Sequence, residues 1–465
     1  MKSLFISPNP YYASGINKAT IYPPLGLIYM STILEQEGHN SRVIDANMSG
    51  MNNKKIMNII SSEDPSIIGV SANVVTERAA LELLTLIKKE FKNKTIIAGG
   101  PHPTTLPETF LSNCDIVIRG EGERTILDIF EGKKLASVDG ISFKTNKKIV
   151  HNKSRQLIKN LDEIPFPNYH LLEPGLKKYI CRARKLPVAP LITSRGCPYQ
   201  CVYCNKNIFG YTYRYRSPKN ILEEIDHLVN EFGVKQIDIL DDNFTLHTEN
   251  TEKILDMIIE RNYDIVINCQ NGIRADTLTK KIIHKMKLAG VFKVGIGIES
   301  GNKEILQKIK KQLNLSKVKQ VIQWFRDERI VTHGFFMLGL PWDNPQTMQE
   351  TINFAIKSDP DIANFSITIP FPGTPLYTYI KKNGKFLQPT EKGTSSGFYD
   401  ARVFYETTTT RKNDVLKYYK KAYKNFYFRL PKMLKLALTP TSLSEYKWMF
   451  TTGLDIFKSV ILPKE

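Results

Sequence analysis

The chain has 465 residues and a net charge of +19, with 42% hydrophobic and 24% charged residues. This length allows two or three domains with sizeable cores, and the composition excludes a disordered chain. No apolar run reaches the roughly 18 residues of a spanning helix, and Pro8 interrupts the N-terminal stretch before a signal-peptide core could form. We therefore expect a cytoplasmic protein. Its positive charge reflects either anionic partners or simply a lysine-rich composition.

Residues 1–150 alternate short β-branched segments with segments of helical periodicity. Strands are predicted in SLFISP, SRVIDA, SIIGVSA, KTIIAGG and CDIVIRG. Helices are predicted over GLIYMSTILEQEGH and, approximately, over 52–62, 76–91, 104–112 and 123–131. This alternation is typical of a doubly wound, Rossmann-like parallel sheet that is covered on both faces. Ligands of such α/β folds bind at the carboxyl ends of the strands.

Residues 151–189 have a weaker pattern with two closely spaced prolines, which favours a linker. Residues 190–395 begin a second alternation. Strands are predicted at 190–194, 235–240, 264–269, 292–298, 330–338 and 362–369, and helices at 218–232, 248–262, 276–289, 302–328 (broken) and 346–357. Six successive βα units indicate an incomplete TIM-like barrel, since a full barrel has eight. Residues 396–465 are expected to form a helical appendage, and we find no internal repeat.

Three of the six cysteines, Cys197, Cys201 and Cys204, form a C-x3-C-x2-C pattern at the end of the first barrel strand. Six cysteines in a chain of this length do not make a disulfide framework. Thiolates bind zinc and iron–sulfur clusters, but a structural zinc site requires four protein ligands. Three ligands leave one iron of a cubane cluster open for a substrate group. A zinc knuckle or unrelated core cysteines are the alternatives.

The cysteine spacing, the aromatic Tyr203 before the last cysteine and the six βα units resemble the radical S-adenosylmethionine (SAM) superfamily. The resemblance implies a [4Fe-4S] cluster on Cys197, Cys201 and Cys204. In that superfamily the open iron binds SAM, whose reductive cleavage gives a radical that abstracts hydrogen from the substrate. A low-potential donor such as flavodoxin or ferredoxin is then expected.

The resemblance also suggests SAM contacts after later strands. Within DDNFT, at 241–245, Asp241, Asp242 and Asn243 offer acceptors for the SAM ammonium, with Asp242 preferred. The usual Gly-Gly-Glu form is absent there. Glu299 and Ser300 end GIGIES and are similar to residues that contact the SAM ribose and carboxylate. The structural alternative is a strand end in which Ser300 is a helix N-cap.

A doubly wound domain ahead of such a barrel resembles the cobalamin-dependent branch of this superfamily, and the likeness covers nearly the whole chain. It is carried by PPLGLIYMSTILEQEGH, IIGVSANVVT, IIAGGPHPTTLPE and VIRGEGERT. In that branch the corrin ring lies on the carboxyl ends of the strands. The residues expected to line the site here are Ser71, Val74, Thr76, Gly99, Gly100 and His102.

The first loop, PNPYYASG, lacks the D-x-H-x-x-G histidine that ligates cobalt in some cobalamin domains. The DANMSG segment at 45–50 follows the second strand and is interpreted as a turn. The resemblance therefore implies cobalamin without a strong lower ligand, and His102 is a candidate ligand only. A nucleotide-binding or response-regulator-like domain, or a cobalamin domain that has lost its ligand, are the alternatives. No G-x-G-x-x-G opens the first helix, which argues against NAD.

The segment 411–435 holds nine Lys or Arg, one Asp and six interleaved aromatic residues. It is predicted to be a basic amphipathic helix that Pro431 stops or kinks. Its aromatic face either packs on the barrel or contacts an anionic membrane surface. Binding of single-stranded RNA, or a role as a lid over a substrate channel, are weaker alternatives for this helix.

The sequence therefore predicts a cobalamin-dependent radical SAM enzyme that methylates an unactivated carbon. Its layout resembles the branch of the anaerobic porphyrin cyclase and the hopanoid methylases, which implies a small apolar substrate of the lipid, isoprenoid or tetrapyrrole class. The same layout without methyl transfer, catalysing oxidation, cyclisation or carbon–carbon coupling, is the first alternative. Methylthiolation of tRNA is a more distant alternative. That branch needs a second cluster in its N-terminal domain, where this chain has only Cys114, and nucleic-acid binding is not expected.

Overall fold

The computed structural model describes residues 1–10, 21–145, 148–181, 183–390 and 402–438, the last four of these by backbone only. The first loop, PNPYYASG, therefore lies largely outside the described residues, as do positions 439–465 of the predicted appendage. Contacts divide the described chain into two units, which are described separately. The first unit comprises 1–181 and 205–216, and the second comprises 183–204, 217–390 and 402–438.

The first unit is an α/β sheet with helices between its strands. Its elements in chain order are β1 Lys2–Ser7, α1 Leu25–Gln36, β2 Asn40–Asp45, α2 Ala46–Ser49, α3 Asn53–Glu63, β3 Ile67–Ser71, α4 Glu77–Glu90, β4 Thr95–Gly99, α5 Pro101–Thr105, α6 Pro107–Leu111, β5 Ile116–Ile118, α7 Glu123–Phe130, β6 Ile141–Thr145, β7 Lys148–His151 and β8 Leu172–Glu173.

The eight strands of this sheet run in the order β7-β6-β5-β4-β3-β1-β2-β8. From β5 to β8 all neighbours are parallel, whereas β5, β6 and β7 pair antiparallel. The apolar, β-branched central strands are buried because helices cover both faces of the sheet. The predicted doubly wound fold is confirmed, and the hairpin β6–β7 was not foreseen.

The helix predicted at 104–112 is two short helices. Pro107 begins the second one, and Leu106 before it has φ −129° and ψ 63°, outside the helical region. Proline lacks an amide hydrogen and disfavours helical geometry in the residue before it, so it separates α5 from α6. The turn predicted in DANMSG is the single-turn helix α2, whose N-cap Asp45 accepts from Asn47 and Met48.

The predicted linker at 151–189 is in large part packed within the first unit. Leu172–Glu173 extends the sheet beside β2, and the side chains of Tyr169 and Tyr179 are buried. The Tyr179 hydroxyl donates to Asp45 at 2.7 Å. Its prolines suggested an open connection, but its buried aromatic residues fix it to the sheet.

The chain after the third cysteine also contributes to the first unit. Within residues 205–216, the Arg214 guanidinium lies 2.9 and 3.0 Å from the two carboxylate oxygens of Glu121, and both side chains are buried. Arg214 also donates to the carbonyl of Ile158 at 2.7 Å. Separating this pair would leave an unpaired charge in the interior, so the pair holds this segment in place.

The second unit has a parallel sheet of successive βα units. Its elements, with the short β11 of the 205–216 segment, are β9 Val188–Leu191, β10 Ser194–Arg195, β11 Arg214–Tyr215, α8 Pro218–Phe232, β12 Gln236–Ile239, α9 Thr248–Arg261, β13 Val266–Ile273, α10 Lys280–Leu288, β14 Val291–Glu299, α11 Lys303–Lys308, α12 Leu315–Asp327, β15 Val331–Leu338, α13 Pro345–Ser358, β16 Ile362–Ile367, α14 Pro375–Asn383, β17 Lys385–Phe386, β18 Tyr405–Glu406, α15 Lys412–Tyr427 and α16 Leu430–Leu438.

The six main strands follow one another in the order β9-β12-β13-β14-β15-β16, and every neighbouring pair is parallel. This is the arrangement of the predicted partial (β/α)6 barrel. The break predicted within 302–328 lies between α11 and α12, where Lys310 and Gln312 have positive φ angles of 55° and 50°. Among the described residues no helix combines the length and apolarity that crossing a bilayer requires.

The basic helix α15 packs its aromatic face on the edge strand β16. Tyr419, Tyr423 and Phe426 are buried, and the rings of Tyr423 and Phe426 contact Phe365 edge-on. The Tyr423 hydroxyl donates to the Phe365 carbonyl at 3.1 Å and accepts from its amide at 3.3 Å. The helix therefore replaces a missing neighbouring strand.

Candidate active site

The three cysteines lie on the loop that follows β10. Cys197 is buried, Cys201 and Cys204 are half-buried, and all three are free thiols. The Cys204 amide donates to the Cys201 carbonyl at 3.1 Å, which makes a turn. Among the described residues no three His, Cys, Asp or Glu side chains are gathered closely enough to hold one metal ion. By donor chemistry, three soft thiolates fit a cluster in which three of the four irons take one thiolate each.

The break between α11 and α12 supports this loop. The Val202 amide donates to the Ile309 carbonyl at 3.1 Å, and the Cys201 thiol lies 3.9 Å from the carbonyl of Lys310. On the other side, the amide of Leu376, in α14, donates to the Val202 carbonyl at 2.9 Å. Backbone on both sides therefore fixes the centre of the cysteine motif.

Arg274, just after β13, joins the same loop to the helix break. Its guanidinium carbon lies 3.7 Å from the centroid of the Tyr199 ring, between the first two cysteines. It also donates to the carbonyls of Lys311 and Gln312 at 3.0 and 3.3 Å, and to Asp276 at 2.7 Å. Stacking on an aromatic ring and several directed hydrogen bonds are the properties that distinguish arginine from lysine. We assign Arg274 to positioning the loop.

Glu299 at the end of β14 forms a buried ion pair. Its Oε1 lies 3.0 Å from Nζ of Lys311, and Nζ lies 3.5 Å from the hydroxyl of Tyr203. A Cβ on Gly297 would lie 2.9 Å from both charged atoms, so a side chain there would displace the pair. Glu299 has φ 66°, an uncommon conformation for this residue type. In the structure it is therefore held beside the cysteine loop by Lys311.

Ser300 is buried and does not cap the following helix. The N-cap of α11 is Asn302, whose side chain accepts from the Ile305 amide at 2.9 Å. The hydroxyl of Ser300 accepts from the Asn302 amide at 3.1 Å and lies 3.2 Å from the Thr351 hydroxyl. The N-cap alternative for Ser300 is wrong, because the helix begins two residues later. Its contact with SAM stays a prediction.

The three polar residues after β12 occupy different environments. Asp241 is buried and accepts from the Thr193 amide at 2.7 Å and from the hydroxyls of Thr193 and Ser194, both at 2.5 Å. Burial raises the pKa of Asp241 to about 6. Asn243 is also buried, and its Nδ2 has no hydrogen-bond partner among the described residues. Asp242 is exposed, so it stays the candidate for an ammonium ligand, while Asp241 secures the chain before Cys197.

One face of strand β15 is only half-buried and presents His333, Phe335 and Met337. The rings of His333 and Phe335 have centroids 4.5 Å apart. The alternate residues are buried, as shown by Phe336, which stacks on Phe365 beneath α15. The half-buried face therefore lies opposite α15 and offers an aromatic and thioether surface.

The carboxyl edge of the first sheet is shaped largely by backbone. Gly100 has φ 100° and ψ −175°, and a Cβ there would lie 2.7 Å from the Ala72 carbonyl oxygen. The Ala72 amide donates to Gly99 at 2.9 Å, which joins the ends of β3 and β4. Ser71 at the end of β3 is half-buried, as is Val74. Backbone without side chains lets a ligand approach such an edge closely.

Two buried polar side chains lie just beyond that edge. The Thr76 hydroxyl accepts from the Asn73 amide at 3.0 Å, so it fixes the loop after β3. Nε2 of His102 lies 3.4 Å from the Glu77 carboxylate, at a geometry that does not form a hydrogen bond. Among the described residues this nitrogen has no hydrogen-bond partner, and a buried polar atom of this kind fits a bound ligand at this edge. The contacts of Ser71, Thr76, Gly99, Gly100 and His102 with cobalamin stay predictions.

Sequence reasoning missed Lys311 and Arg274. Arg274 follows a predicted strand end, which is a position where functional residues of such barrels collect. Lys311 lies in a helix break between two lysine-rich segments, and nothing in the local pattern distinguishes it from its neighbours.

Two family models match the chain. The radical SAM superfamily model matches residues 191–355, and the B12 binding domain model matches residues 15–130. They correspond to the cysteine-bearing second sheet and to most of the first sheet. The family and fold class predicted from the sequence are therefore confirmed.

Curated relatives match along most of the chain. An uncharacterized methyltransferase of Pyrococcus horikoshii is 33% identical over 442 residues, which cover 93% of this chain and 94% of the relative. The anaerobic magnesium-protoporphyrin IX monomethyl ester cyclase of Rubrivivax gelatinosus is 27% identical over 389 residues, covering 81% and 69%.

A solved structure has the same fold. It is that of OxsB, a cobalamin-dependent S-adenosylmethionine radical enzyme, with aqua-cobalamin and S-adenosylmethionine bound. The TM-score is 0.76 at 19% identity, and the match covers 98% of this chain and 72% of the other. The two matched domains imply a [4Fe-4S] cluster, SAM and cobalamin as cofactors. The chain is an enzyme that belongs to the radical SAM superfamily, with a B12-binding domain ahead of its radical SAM domain.

Proposed function

We propose that this enzyme methylates an unactivated carbon of an apolar small molecule of the lipid, isoprenoid or tetrapyrrole class. The main support is the near full-length match to a relative named as a methyltransferase, in a chain that carries both cofactor domains. The cyclase relative acts on a tetrapyrrole, as its name states. The half-buried His333, Phe335 and Met337 would suit a flat or apolar substrate, because aromatic and thioether groups pack well against such surfaces.

The residues of the chain divide the work as follows. Cys197, Cys201 and Cys204 would hold the cluster, and Arg274 with the helix break would keep their loop in place. The exposed Asp242 would accept from the ammonium of SAM, while Glu299 and Ser300 would contact its ribose and carboxylate. When bound, the cluster and cobalamin supply the electron and the methyl-carrying cobalt, and the protein supplies binding and orientation.

The first test is anaerobic reconstitution with iron, sulfide and hydroxocobalamin, followed by an assay with methyl-labelled SAM. Candidate substrates are a triterpenoid lipid, a linear isoprenoid and a porphyrin. We expect label in one substrate, together with 5′-deoxyadenosine and S-adenosylhomocysteine. Deoxyadenosine with substrate conversion but no transferred label would favour the non-methylating alternative. Protein loaded with iron and cobalt that cleaves no SAM would contradict both.

The reduction step requires an external one-electron donor, and we propose a flavodoxin or a ferredoxin. The net charge of +19 would favour association with an acidic redox protein. Cleavage of SAM driven by reduced flavodoxin should weaken steeply as salt is raised from 50 to 300 mM, whereas cleavage driven by dithionite should not. Equal salt dependence of the two reactions would argue against electrostatic docking.

We also propose a peripheral contact with an anionic membrane at the C-terminal end of the described chain. The aromatic face of α15 is occupied by the barrel, which removes it from the membrane interpretation. At the start of α16, however, Leu430, Met433 and Leu434 are 70%, 51% and 56% exposed, and the preceding helix carries exposed lysines such as Lys424. Apolar side chains rimmed by cations suit the interface of an anionic bilayer.

Flotation with phosphatidylglycerol vesicles at low salt tests this contact. Wild type should float with the vesicles, and the double variant Met433→Glu/Leu434→Glu should remain in the dense fraction. Leu288→Glu is the matched control, since Leu288 is 57% exposed on α10. Wild type that stays in the dense fraction, or a control that behaves like the double variant, would contradict the proposal.

A further inference from the structure

The buried ion pair Glu299–Lys311 lies next to the cysteines that would ligate the cluster, but neither residue is itself a ligand. Nζ of Lys311 is 3.0 Å from Glu299 and 3.5 Å from the Tyr203 hydroxyl. The Cys201 sulfur lies 3.9 Å from the carbonyl oxygen of Lys310, the residue before Lys311. Only 10% and 11% of the Lys311 and Glu299 side chains are exposed. The buried charge pair thus lies against the loop that carries the cysteines.

The backbone holds this arrangement under strain. Glu299, Lys310 and Gln312 all have positive φ angles, of 66°, 55° and 50°. Non-glycine residues adopt such angles at a cost, and they persist where the surrounding structure enforces them, often at functional sites. Arg274 holds the turn at Lys310–Gln312 by donating to the carbonyls of Lys311 and Gln312, and Lys311 in turn holds Glu299. The positions of the two charges are therefore built into the fold.

Charges so placed act on the electron affinity of a cluster. Reduction adds one negative charge to the cluster, so a nearby cation stabilises the reduced state and a nearby anion opposes it. Burial weakens the screening of both effects by solvent. Charge near the cluster is among the factors that set the potentials of iron–sulfur clusters.

We propose that Lys311 and Glu299 set the reduction potential of the cluster: Lys311 raises it and Glu299 lowers it. This rests on the cluster assignment made above. The step concerned is addition of one electron to the cluster by a low-potential donor, with dithionite as the reductant in the test. Both residues act on the cluster through their charge and are distinct from the cysteine ligands.

The test is a redox titration of the reconstituted cluster, followed by electron paramagnetic resonance in the absence of SAM. At a fixed ambient potential, Lys311→Met should lower the ratio of reduced to oxidised cluster about tenfold, which is about 59 mV for a one-electron couple. Glu299→Gln should raise the ratio by a similar factor. The double variant should lie within about threefold of wild type.

The opposite signs distinguish tuning of the potential from a merely structural role. A structural role would shift the reduction potential of both single variants in the same direction or not at all. The matched control is the pair Lys285–Glu252, which also spans 3.0 Å but joins α9 to α10. Lys285→Met and Glu252→Gln should leave the ratio unchanged. Shifts of equal sign at Lys311 and Glu299, or a null result at both, would overturn the proposal.

Iron quantitation precedes each titration and keeps the outcomes distinct. If Lys311→Met fails to retain iron, Glu299→Gln alone decides, because the reduction potential of its cluster must lie above that of wild type. Wild type that binds no iron would refute the cluster assignment and, with it, this proposal. Wild type with a cluster and opposite shifts but no methyl transfer would refute only the proposed reaction.

Discussion

The two parallel sheets both place their candidate cofactor residues at the carboxyl ends of strands, yet they build those ends differently. In the second unit the site is made of side chains: three thiols, Arg274, and the pair Glu299–Lys311. In the first unit it is made largely of backbone, with Gly99 and Gly100 closing against Ala72. Binding a cluster and placing charges require particular side-chain atoms, as in the second unit. Binding a large flat cofactor mainly requires space at the sheet edge, as in the first.

The lateral edges of the two sheets also differ. The first sheet continues beyond its parallel strands through the antiparallel hairpin β6–β7 and, on the other side, the short β8. The second sheet ends at β16, whose free backbone groups are covered by tyrosine hydroxyls of α15. Uncovered strand edges invite aggregation, so both solutions protect the fold. The following predictions test these differences, from the largest effect to the smallest.

Removing a thiol should have the largest effect. Cys204→Ala should abolish SAM cleavage and reduce the reconstituted iron from about four per chain to near background, because a cluster with two protein ligands is poorly held. Iron and sulfide quantitation after desalting measures this. Cys269→Ala is the control, since Cys269 is buried in β13 outside the motif and should keep its iron. Equal iron loss in both variants would contradict the assignment of the ligands.

A single methyl group at the glycine edge should affect the first unit alone. Gly100→Ala places a Cβ 2.7 Å from the Ala72 carbonyl and forces alanine into a conformation that only glycine adopts readily, at a cost of about 3 kcal/mol. We expect weaker cobalamin retention with unchanged iron content, measured by absorbance after desalting. Gly26→Ala, in α1 with no atom within 4 Å of the added Cβ, should be neutral or stabilising. Unchanged cobalamin retention in Gly100→Ala would refute a backbone-built site.

Loss of the tyrosine hydroxyls should destabilise the second sheet at its edge. Tyr423→Phe and Tyr427→Phe each leave a backbone amide and carbonyl of β16 without their partner, which costs about 1–3 kcal/mol per variant. Urea unfolding measures this, as a lower midpoint with an unchanged slope. Tyr418→Phe, on the half-exposed side of the same helix, should change stability by less than about 0.5 kcal/mol. Equal effects of all three substitutions would show that the hydroxyls do not cap the edge.

The smallest effect concerns the anchor of α16. Burial pushes the pKa of Asp359 upward, but Lys432 and Arg429, at 3.2 and 2.9 Å, outweigh it and hold the pKa below 3.8. Because the folded pKa is depressed, the contribution is present above pH 4 and is lost as the pH falls through the folded value. Asp359 is about one-third exposed, so the contribution should stay below about 1 kcal/mol. Asp359→Asn should flatten the stability profile below pH 4, and an unaltered profile would contradict the ion pair.

Much of the architecture followed from local pattern. The strands and helices of both sheets lie within a few residues of their predicted positions, because their hydrophobic periods are clear. The exceptions have identifiable causes. Pro107 divides a predicted helix, and buried tyrosines bind the predicted linker to the first sheet. The two-residue strand β8 has too few residues to show a period.

The candidate site was predictable only in part. Cys197, Cys201 and Cys204 could be found because their spacing is a local property of the chain. Lys311 could not, since its role depends on Glu299 twelve residues earlier and on Tyr203, which only folding brings within contact. Likewise, adjacent Asp241 and Asp242 look equivalent in the sequence, but one is buried as a hydrogen-bond acceptor and the other is exposed.

Local periodicity and residue spacing were enough to predict the two α/β sheets, the cysteine motif and the basic aromatic C-terminal helix. The partners that the side chains meet depend instead on the folded structure. It placed the aromatic face of α15 against β16, where it caps an unpaired edge, and it placed a buried charge pair beside Cys201. Both outcomes depend on contacts between segments distant in the chain, where burial and desolvation determine the energy of each polar group.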